Sequence, residues 1–120
     1  MTYGATQAKQ DEIVAALGAR AATSQPLAGA AAASTSAGPF VPQLSRAIWL
    51  TLTGVWAGTV RVLRSTDGGA TKVPLTLAGQ PWATFTANAA EAIAEETVAS
   101  ATYYLDIALT SGAVTYRLEQ

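Results

Sequence analysis

The chain is 120 residues long, carries 7 basic and 8 acidic side chains for a net charge of −1, and contains neither cysteine nor histidine. The missing residue types exclude disulfides, thiolate chemistry, imidazole metal ligands and Ser-His or Cys-His nucleophiles, so we expect no enzyme, no cofactor and no bound metal. No charge run suggests nucleic acid, and no leader or apolar run of about 20 residues suggests export or a membrane span, so we expect a soluble, unsecreted protein.

Residues 1–18 predict a short N-terminal helix, because they are rich in good helix formers and end in glycine. From Thr6, the positions Gln10, Ile13 and Leu17 follow at spacings of four, three and four, which is typical of a coiled-coil seam with one polar layer. A lone helix of this length is marginal in water. We therefore predict that it forms against a partner, with Gln10, Ile13 and Leu17 as the contacts.

Residues 19–38 consist mostly of alanine, serine, threonine and glycine, and Pro26 interrupts them. No hydrophobic period is visible, and side chains this small bury little surface. The composition is typical of a linker or an extended arm. We therefore place the folded domain at residues 39–120, a size that is marginal for a monomer and that oligomerisation would help.

From residue 39 onward the hydrophobic pattern changes to period two, which predicts β-strands. Gly54 predicts a strand end, and Ser111-Gly112 predicts the turn of a terminal hairpin. The predicted strands are residues 48–53, 59–63, 71–77, 82–86, 90–97, 103–110 and 114–119. Short strands at this spacing indicate an all-β fold, and in particular a small antiparallel β-sandwich of the jelly-roll or immunoglobulin-like type.

The segment at residues 87–99 is ambiguous, because its alanine content also suits a helix. In a helix, however, Glu91 and Glu95 would be like charges four positions apart, which is unfavourable. We therefore predict a strand over residues 90–97. With Glu96, these carboxylates could make a carboxylate pair or a calcium site, but the spacing of a calcium-binding loop is missing. We interpret all three as a solvated face.

An Asp-box pattern, as found in sialidases and other β-proteins, is formed by Ser65, Asp67, Gly69 and Thr71. The Asp67 carboxylate can bond to the backbone of its own turn, while Gly68 and Gly69 allow conformations closed to other residues. Lys72 stands where an aromatic residue is usual in this pattern. In proteins that contain the pattern it shapes a hairpin and does no catalysis, so we predict a structural turn here.

The three tryptophans, Trp49, Trp56 and Trp82, could stack on sugar rings, although in a small sandwich such residues are more often core or interface anchors. If the even-numbered side chains of residues 48–52 face the core, Trp49 faces outward on the same strand. Tyr104 is displaced from its neighbours' buried face in the same way. Because an exposed aromatic residue on a sheet marks a contact surface, Trp49 and Tyr104 are the predicted subunit contacts.

Four segments carry a resemblance to other proteins: Ala5–Ile13, Gly58–Val60, Arg64–Thr71 and Thr110–Gln120. In this order they resemble small structural proteins encoded by tailed bacteriophages and by gene transfer agents. The resemblance implies a non-enzymatic virion protein, assembled in the bacterial cytoplasm, that forms the base of a head spike or head fibre or decorates the capsid. Its implied partners are a capsid protein, a spike or fibre protein, and further copies of itself in a trimer or a pentamer.

Two other functions stay open. The first is a carbohydrate-binding module that uses Trp49 or Trp56 as a stacking platform for a bacterial surface polysaccharide. The second is a tail-associated virion protein, which would share the fold and differ only in its location. Replacing Trp49 by alanine separates the first of these from the structural protein, because only a module would lose glycan binding while keeping its assembly state.

Overall fold

The computed structural model describes residues 24–120. The predicted helix over residues 1–18, with its contact residues Gln10, Ile13 and Leu17, lies outside the described residues, as do residues 19–23. Residues 24–120 contain strands and connecting segments, and no helix among them could span a membrane.

Residues 24–120 form nine strands. In chain order they are β1 (Leu27–Ala31), β2 (Thr35–Phe40), β3 (Ala47–Ser65), β4 (Val73–Pro74), β5 (Thr76–Leu77), β6 (Gln80–Pro81), β7 (Thr84–Phe85), β8 (Ala89–Glu95) and β9 (Thr102–Glu119).

Two long strands, β3 and β9, form the centre of the main sheet and pair antiparallel from Trp49 opposite Glu119 to Ser65 opposite Thr102. The other edge of β9 pairs with β1 and β2, and the other edge of β3 pairs with β4, β7 and β8, all antiparallel. A separate two-stranded ribbon consists of β5 and β6. The prediction of an all-β, antiparallel fold is confirmed, and β8 confirms residues 90–95 of the strand predicted at residues 90–97, which ends two residues earlier than predicted.

Gly54 and Ser111-Gly112 lie inside the two long strands, so the predicted strand end and the predicted terminal hairpin are both wrong. The reason is how closely the two backbones approach here. Gly54 and Gly112 have positive φ values of 105° and 77°, and a Cβ on Gly112 would overlap the carbonyl oxygen of Val55. Glycine therefore keeps the ladder paired at a point where other residues would force the strands apart.

A β-bulge at Thr110 changes which side chains of β9 face the core. Ala57 lies opposite Ser111 but Gly58 lies opposite Leu109, so Thr110 has no cross-strand partner. Because a bulge adds one residue to one strand, the core-facing positions of β9 are odd-numbered before Thr110 and even-numbered after it. The fully buried ones are Tyr103, Leu105, Ile107, Val114 and Leu118.

The glycine-rich middle of β3 and β9 divides the main sheet into two halves. The Trp49 half consists of β8, residues 47–53 of β3, residues 113–119 of β9, and β1. The Arg64 half consists of residues 58–65 of β3, residues 102–109 of β9, and strands β2, β4 and β7.

Both halves supply side chains to one hydrophobic core. The Trp49 half contributes Ala31, Ile48, Leu50, Leu52, Ile93, Val114 and Leu118, and the Arg64 half contributes Phe40, Val60, Val62, Tyr103, Leu105 and Ile107. Most of these side chains are at most 2% exposed. At about 1.5–3 kcal/mol for each large apolar side chain buried, this core is the main source of the fold's stability.

The prediction of a linker over residues 19–38 is wrong for residues 27–38, because β1 and most of β2 lie there and pair with β9. An edge strand needs few large side chains, since only one of its faces contacts the core. Here Ala31 and Phe40 are buried and Leu27 packs against the core. Ser24, just before β1, is held by hydrogen bonds to the side chain of Gln120 and to the backbone N–H of Gln43.

Candidate functional site

The outer face of the Trp49 half consists of alanine and threonine side chains and one ion pair around one large aromatic residue. Odd-numbered residues of β3 point away from the core, and Trp49 among them is 48% exposed. The strand register places other outward residues around it. We call this surface the Trp49 face, and its members are Ala28, Ala30, Trp49, Thr51, Thr53, Ala90, Ala92, Thr115, Arg117 and Glu119.

The two charged side chains of the Trp49 face neutralise each other. Arg117 Nε donates a hydrogen bond to Glu119 Oε2 at 2.6 Å. Glu119 lies opposite Trp49 in the register, and Arg117 lies opposite Thr51. The face therefore offers an indole, methyl groups and hydroxyls to a partner, with one exposed ion pair beside them. Such a surface can be desolvated without stranding an unpaired charge.

Trp56 and Trp82 are placed differently from Trp49. Both are half-buried and pack against the core. Trp56 Nε1 donates to Asn88 Oδ1 at 2.7 Å, and Trp82 Nε1 donates to the backbone carbonyl of Ile93 at 2.7 Å. Their polar ends are therefore used inside the chain, which leaves Trp49 as the tryptophan available for a contact.

Tyr104 is not an exposed contact residue, which corrects that prediction. It points away from the core as expected, but it is only 9% exposed. Lys72 Nζ lies 4.5 Å from the centre of its ring, and its side chain fills the space beside Gly38 and Gly69. The missing side chains of these glycines make room for the ring. A partner could reach Tyr104 only after this cover was removed.

The Ser65–Thr71 turn is closed by its own side chains. Ser65 Oγ donates to Asp67 Oδ1 at 2.7 Å and accepts from the backbone N–H of Gly69 at 2.9 Å, and Asp67 Oδ1 also accepts from the backbone N–H of Thr71 at 2.8 Å. Chiefly because of the Thr71 N–H, and then the Ser65 hydroxyl, the pKa of Asp67 is lowered to about 2. Gly68 has a φ of 73°. The carboxylate is thus committed to the turn.

Glu96 is buried at 3% exposure, so the prediction of a solvated face is wrong for this residue, while Glu91 and Glu95 are exposed. Arg64 makes two parallel hydrogen bonds to its carboxylate, at 2.6 and 2.9 Å. The Tyr103 hydroxyl donates to Oε1 at 2.7 Å. The backbone N–H groups of the next two residues donate to Oε2, each at 3.0 Å.

The network around Glu96 fixes the charge states of its members. The Arg64 guanidinium lowers the pKa of Glu96 to about 2, although burial acts in the opposite direction. Burial, followed by the bond to Glu96, raises the pKa of Tyr103 well above its ordinary value of 10. The bond to Glu96 also raises the pKa of Arg64. A carboxylate this strongly bonded is a poor general base, so the network is a structural tie between β3, β9 and the end of β8.

This network could not be predicted from the sequence, because Arg64 and Glu96 are 32 residues apart. The one available signal was phase: Glu96 lies inside the predicted strand at residues 90–97, and Arg64 and Tyr103 are each two residues from a core position, Val62 and Leu105. Among residues 24–120, no group of three acidic side chains is arranged to hold a metal ion.

Comparison with known proteins gives no relative for this chain. No protein family, no curated protein and no solved structure was found to match it.

Proposed function

We propose that the chain is a non-enzymatic structural protein of a phage-like particle, and that it acts by making protein contacts through the Trp49 face. The observation that carries the contact role is Trp49 itself, a 48% exposed indole on a sheet face whose two charged side chains pair with each other. The assignment to a phage-like particle rests on the sequence resemblance described above. In that setting the protein would be an oligomeric base or adaptor between the capsid and a head spike or fibre, assembled in the bacterial cytoplasm.

We further propose that the fold is a β-sandwich, in which the two halves of the main sheet pack face to face. Val60 and Leu105 of one half and Leu50 and Leu118 of the other are all 0% exposed. With no helix among residues 24–120 to cover a sheet face, another part of the sheet has to do so. The glycines and the bulge in the middle of β3 and β9 stand where such a sheet would change direction.

The small size of the domain also supports assembly. A domain of roughly 100 residues buries only about 60–65% of its unfolded surface, so burying more at a subunit contact stabilises it. The Trp49 face suits this role, because tryptophan is enriched at interface centres, where a few large aromatic side chains carry most of the binding energy. The resemblance implies three or five copies.

The direct test is the solution mass of the protein by light scattering, with Trp49→Ala compared with the parent chain. We expect the parent to be oligomeric and Trp49→Ala to shift toward the monomer at the same concentration. Val55→Ala is the matched control, because Val55 is 90% exposed on the same strand but lies outside the Trp49 face. A parent chain that is monomeric at all concentrations, and that binds neither capsid nor fibre protein, would overturn the proposal.

A chain lacking residues 1–20 tests the second part of the adaptor role. If these residues engage a fibre or a neighbouring copy, their removal should loosen the oligomer or abolish fibre binding. An unchanged mass and unchanged fibre binding would restrict the adaptor function to residues 24–120.

A carbohydrate-binding module is the second candidate, and one observation favours it. The exposed indole of Trp49 lies next to the Arg117–Glu119 ion pair, and sugar sites often combine an aromatic platform with planar charged groups that bond to hydroxyls. This function predicts that Trp49→Ala keeps the mass of the parent chain and loses binding to bacterial surface polysaccharides. Glycan-array binding by the parent chain and the variant separates the two candidates.

A further inference from the structure

The Trp49 half ends in two edge strands, β8 on one side and β1 on the other. Among residues 24–120, β8 pairs only with β3, and β1 pairs only with β9. Each strand therefore carries a row of backbone N–H and C=O groups with no partner strand on its other side. Such edges bind further strands unless something protects them.

β8 is protected. Glu91 lies opposite the buried Leu50, so it points to the core side of the sheet, yet its position at the edge leaves it exposed. A strand docking here would have to bury that charge. The register also shifts at Ile93, which lies between the partners of Ile48 and Trp49 and has none itself. An inward-pointing charge and a bulge are two devices that block strand addition.

β1 has neither device. Its sequence, Leu-Ala-Gly-Ala-Ala, contains no charge, and its five residues pair with β9 in an unbroken register. Ala28 and Ala30 are exposed on the outer side. On the inner side, the Tyr116 hydroxyl group fills the space beside Gly29. Within the part of the chain that the structure describes, this edge is unpaired, regular in register and uncharged.

We propose that β1 pairs antiparallel with β1 of a second copy, with the two Gly29 residues opposite each other. A two-fold axis then places Ala28 of each copy opposite Ala30 of the other, and Leu27 opposite Ala31. Every cross-strand pair is small or apolar, and no like charges meet. Arg117 lies next to Ala28 in its own sheet, so in the pair it points toward the Thr115 side of the second copy rather than toward the other Arg117.

This inference rests on the proposed self-association and adds the β1 edge as a second contact beside the Trp49 face. The four strands of each Trp49 half become eight, and the two Trp49 faces join into one surface with two exposed indoles. A two-fold contact joins copies in pairs, so it predicts an even number of copies where the resemblance implies three or five.

Single cysteines test the register, because the natural chain has none. Full-length Ala28→Cys and Ala30→Cys are prepared separately, mixed and oxidised. The proposed register places Cα atoms of positions 28 and 30 of different copies about 4.5–5.5 Å apart, within reach of a disulfide, whereas two copies of one variant have their cysteines too far apart. We expect covalent dimers from the mixture and not from either variant alone.

An exposed lysine on the edge provides the second measurement. Ala30→Lys should lose the pair by light scattering, while Ala108→Lys, at an exposed outward position of β9 in the Arg64 half, should keep the parent mass. An oligomer that survives Ala30→Lys, with no disulfide in the cysteine mixture, would overturn the edge pairing but leave self-association standing. A parent chain that is a monomer would overturn both, and would fit an edge covered by residues 1–23 of the same chain.

Discussion

Each half of the sheet carries one outward-facing aromatic residue, and the two residues have opposite surroundings. In the Arg64 half, Tyr104 is covered by Lys72 and fits beside two glycines, which leaves it 9% exposed. In the Trp49 half, Trp49 is 48% exposed with alanine and threonine around it. The Arg64 half covers its outward-facing aromatic ring with its own residues, and the Trp49 half leaves its indole largely uncovered.

The two halves also differ in their polar groups, and again the Arg64 half pairs more of them within the chain. The Arg64 half contains the network of Arg64 and Tyr103 around the buried Glu96, and Arg61 and Asp106 form an ion pair at 2.8 Å on its outer face. The core side of the Trp49 half is apolar apart from Tyr116 and the exposed Glu91 at its β8 edge. The comparison suggests that the Arg64 half fixes the structure and the Trp49 half makes the contacts. Four predictions test that division.

The largest expected effect is on Glu96. Glu96→Gln should lower the free energy of unfolding by about 3–5 kcal/mol, because Glu96 is 3% exposed and a glutamine side chain has only one oxygen to accept the hydrogen bonds that both carboxylate oxygens now accept. Urea denaturation followed by tryptophan fluorescence measures this. Glu91→Gln, at an exposed position of the neighbouring strand, is the control and should stay within about 0.5 kcal/mol of the parent. Equal effects of the two variants would break the comparison.

Replacing a glycine in the middle of β3 should destabilise the fold nearly as much. Gly58→Ala should cost about 2–4 kcal/mol, because φ is 143° there and the added Cβ would overlap the carbonyl oxygen of Ala108. Gly68 also has positive φ, but a Cβ there would meet nothing within 4 Å. Gly68→Ala should therefore cost only about 1 kcal/mol. Thermal unfolding of the two variants shows whether close approach of the strands, rather than φ alone, requires glycine.

Acid should weaken the Arg64 half first. The pKa of Glu96 is about 2 when folded and near its ordinary 4.5 when unfolded, so the unfolded state binds more protons between these values. The stabilisation is therefore complete above about pH 5 and is lost as pH falls through 4.5 toward 2. It amounts to roughly 3 kcal/mol. Asp67 acts in the same direction. Denaturation series at pH 7, 4 and 2.5 should show this slope in the parent and a shallower one in Glu96→Gln.

The smallest effect on stability is expected at Trp49. Trp49→Ala removes a side chain that is nearly half exposed, so the unfolding free energy of the monomer should fall by less than about 1 kcal/mol. Denaturation at a concentration low enough to keep the chain monomeric measures it. A loss as large as that of Glu96→Gln would show that Trp49 belongs to the fold, and would remove the reason for assigning contacts to this half.

Much of the fold could be predicted from the sequence, because alternation reports a half-buried strand directly. Residues 48–53 and 103–109 alternate and are strands, and Asp67 lies in the turn that its neighbours suggest. The length of the strands could not be predicted in this way. Glycine ends many strands, and nothing local to Gly54 or Gly112 shows that another backbone needs its space.

The remaining wrong predictions share one cause: the structure at each of these positions depends on residues that are distant in the sequence. β1 and β2 are too poor in large side chains to be recognised, and they are strands because β9 offers them an edge. Glu96 is buried because Arg64 reaches it from another strand. Tyr104 is covered by Lys72, which stands 32 positions before it. The exposure of Trp49 depends only on the alternation within its own strand. It could therefore be predicted from the sequence, and the structure confirms it.

The bulge at Thr110 has a consequence for how this chain can change in length. The extra residue reverses the alternation of core-facing and outward-facing side chains, because the side chains of β9 that enter the core are odd-numbered before it and even-numbered after it. Deleting Thr110 would remove that shift and turn Val114 and Leu118 out to solvent, while their polar neighbours turned inward. Variation in length within this strand should therefore come in steps of two residues, except where a single insertion or deletion is matched by a second one nearby.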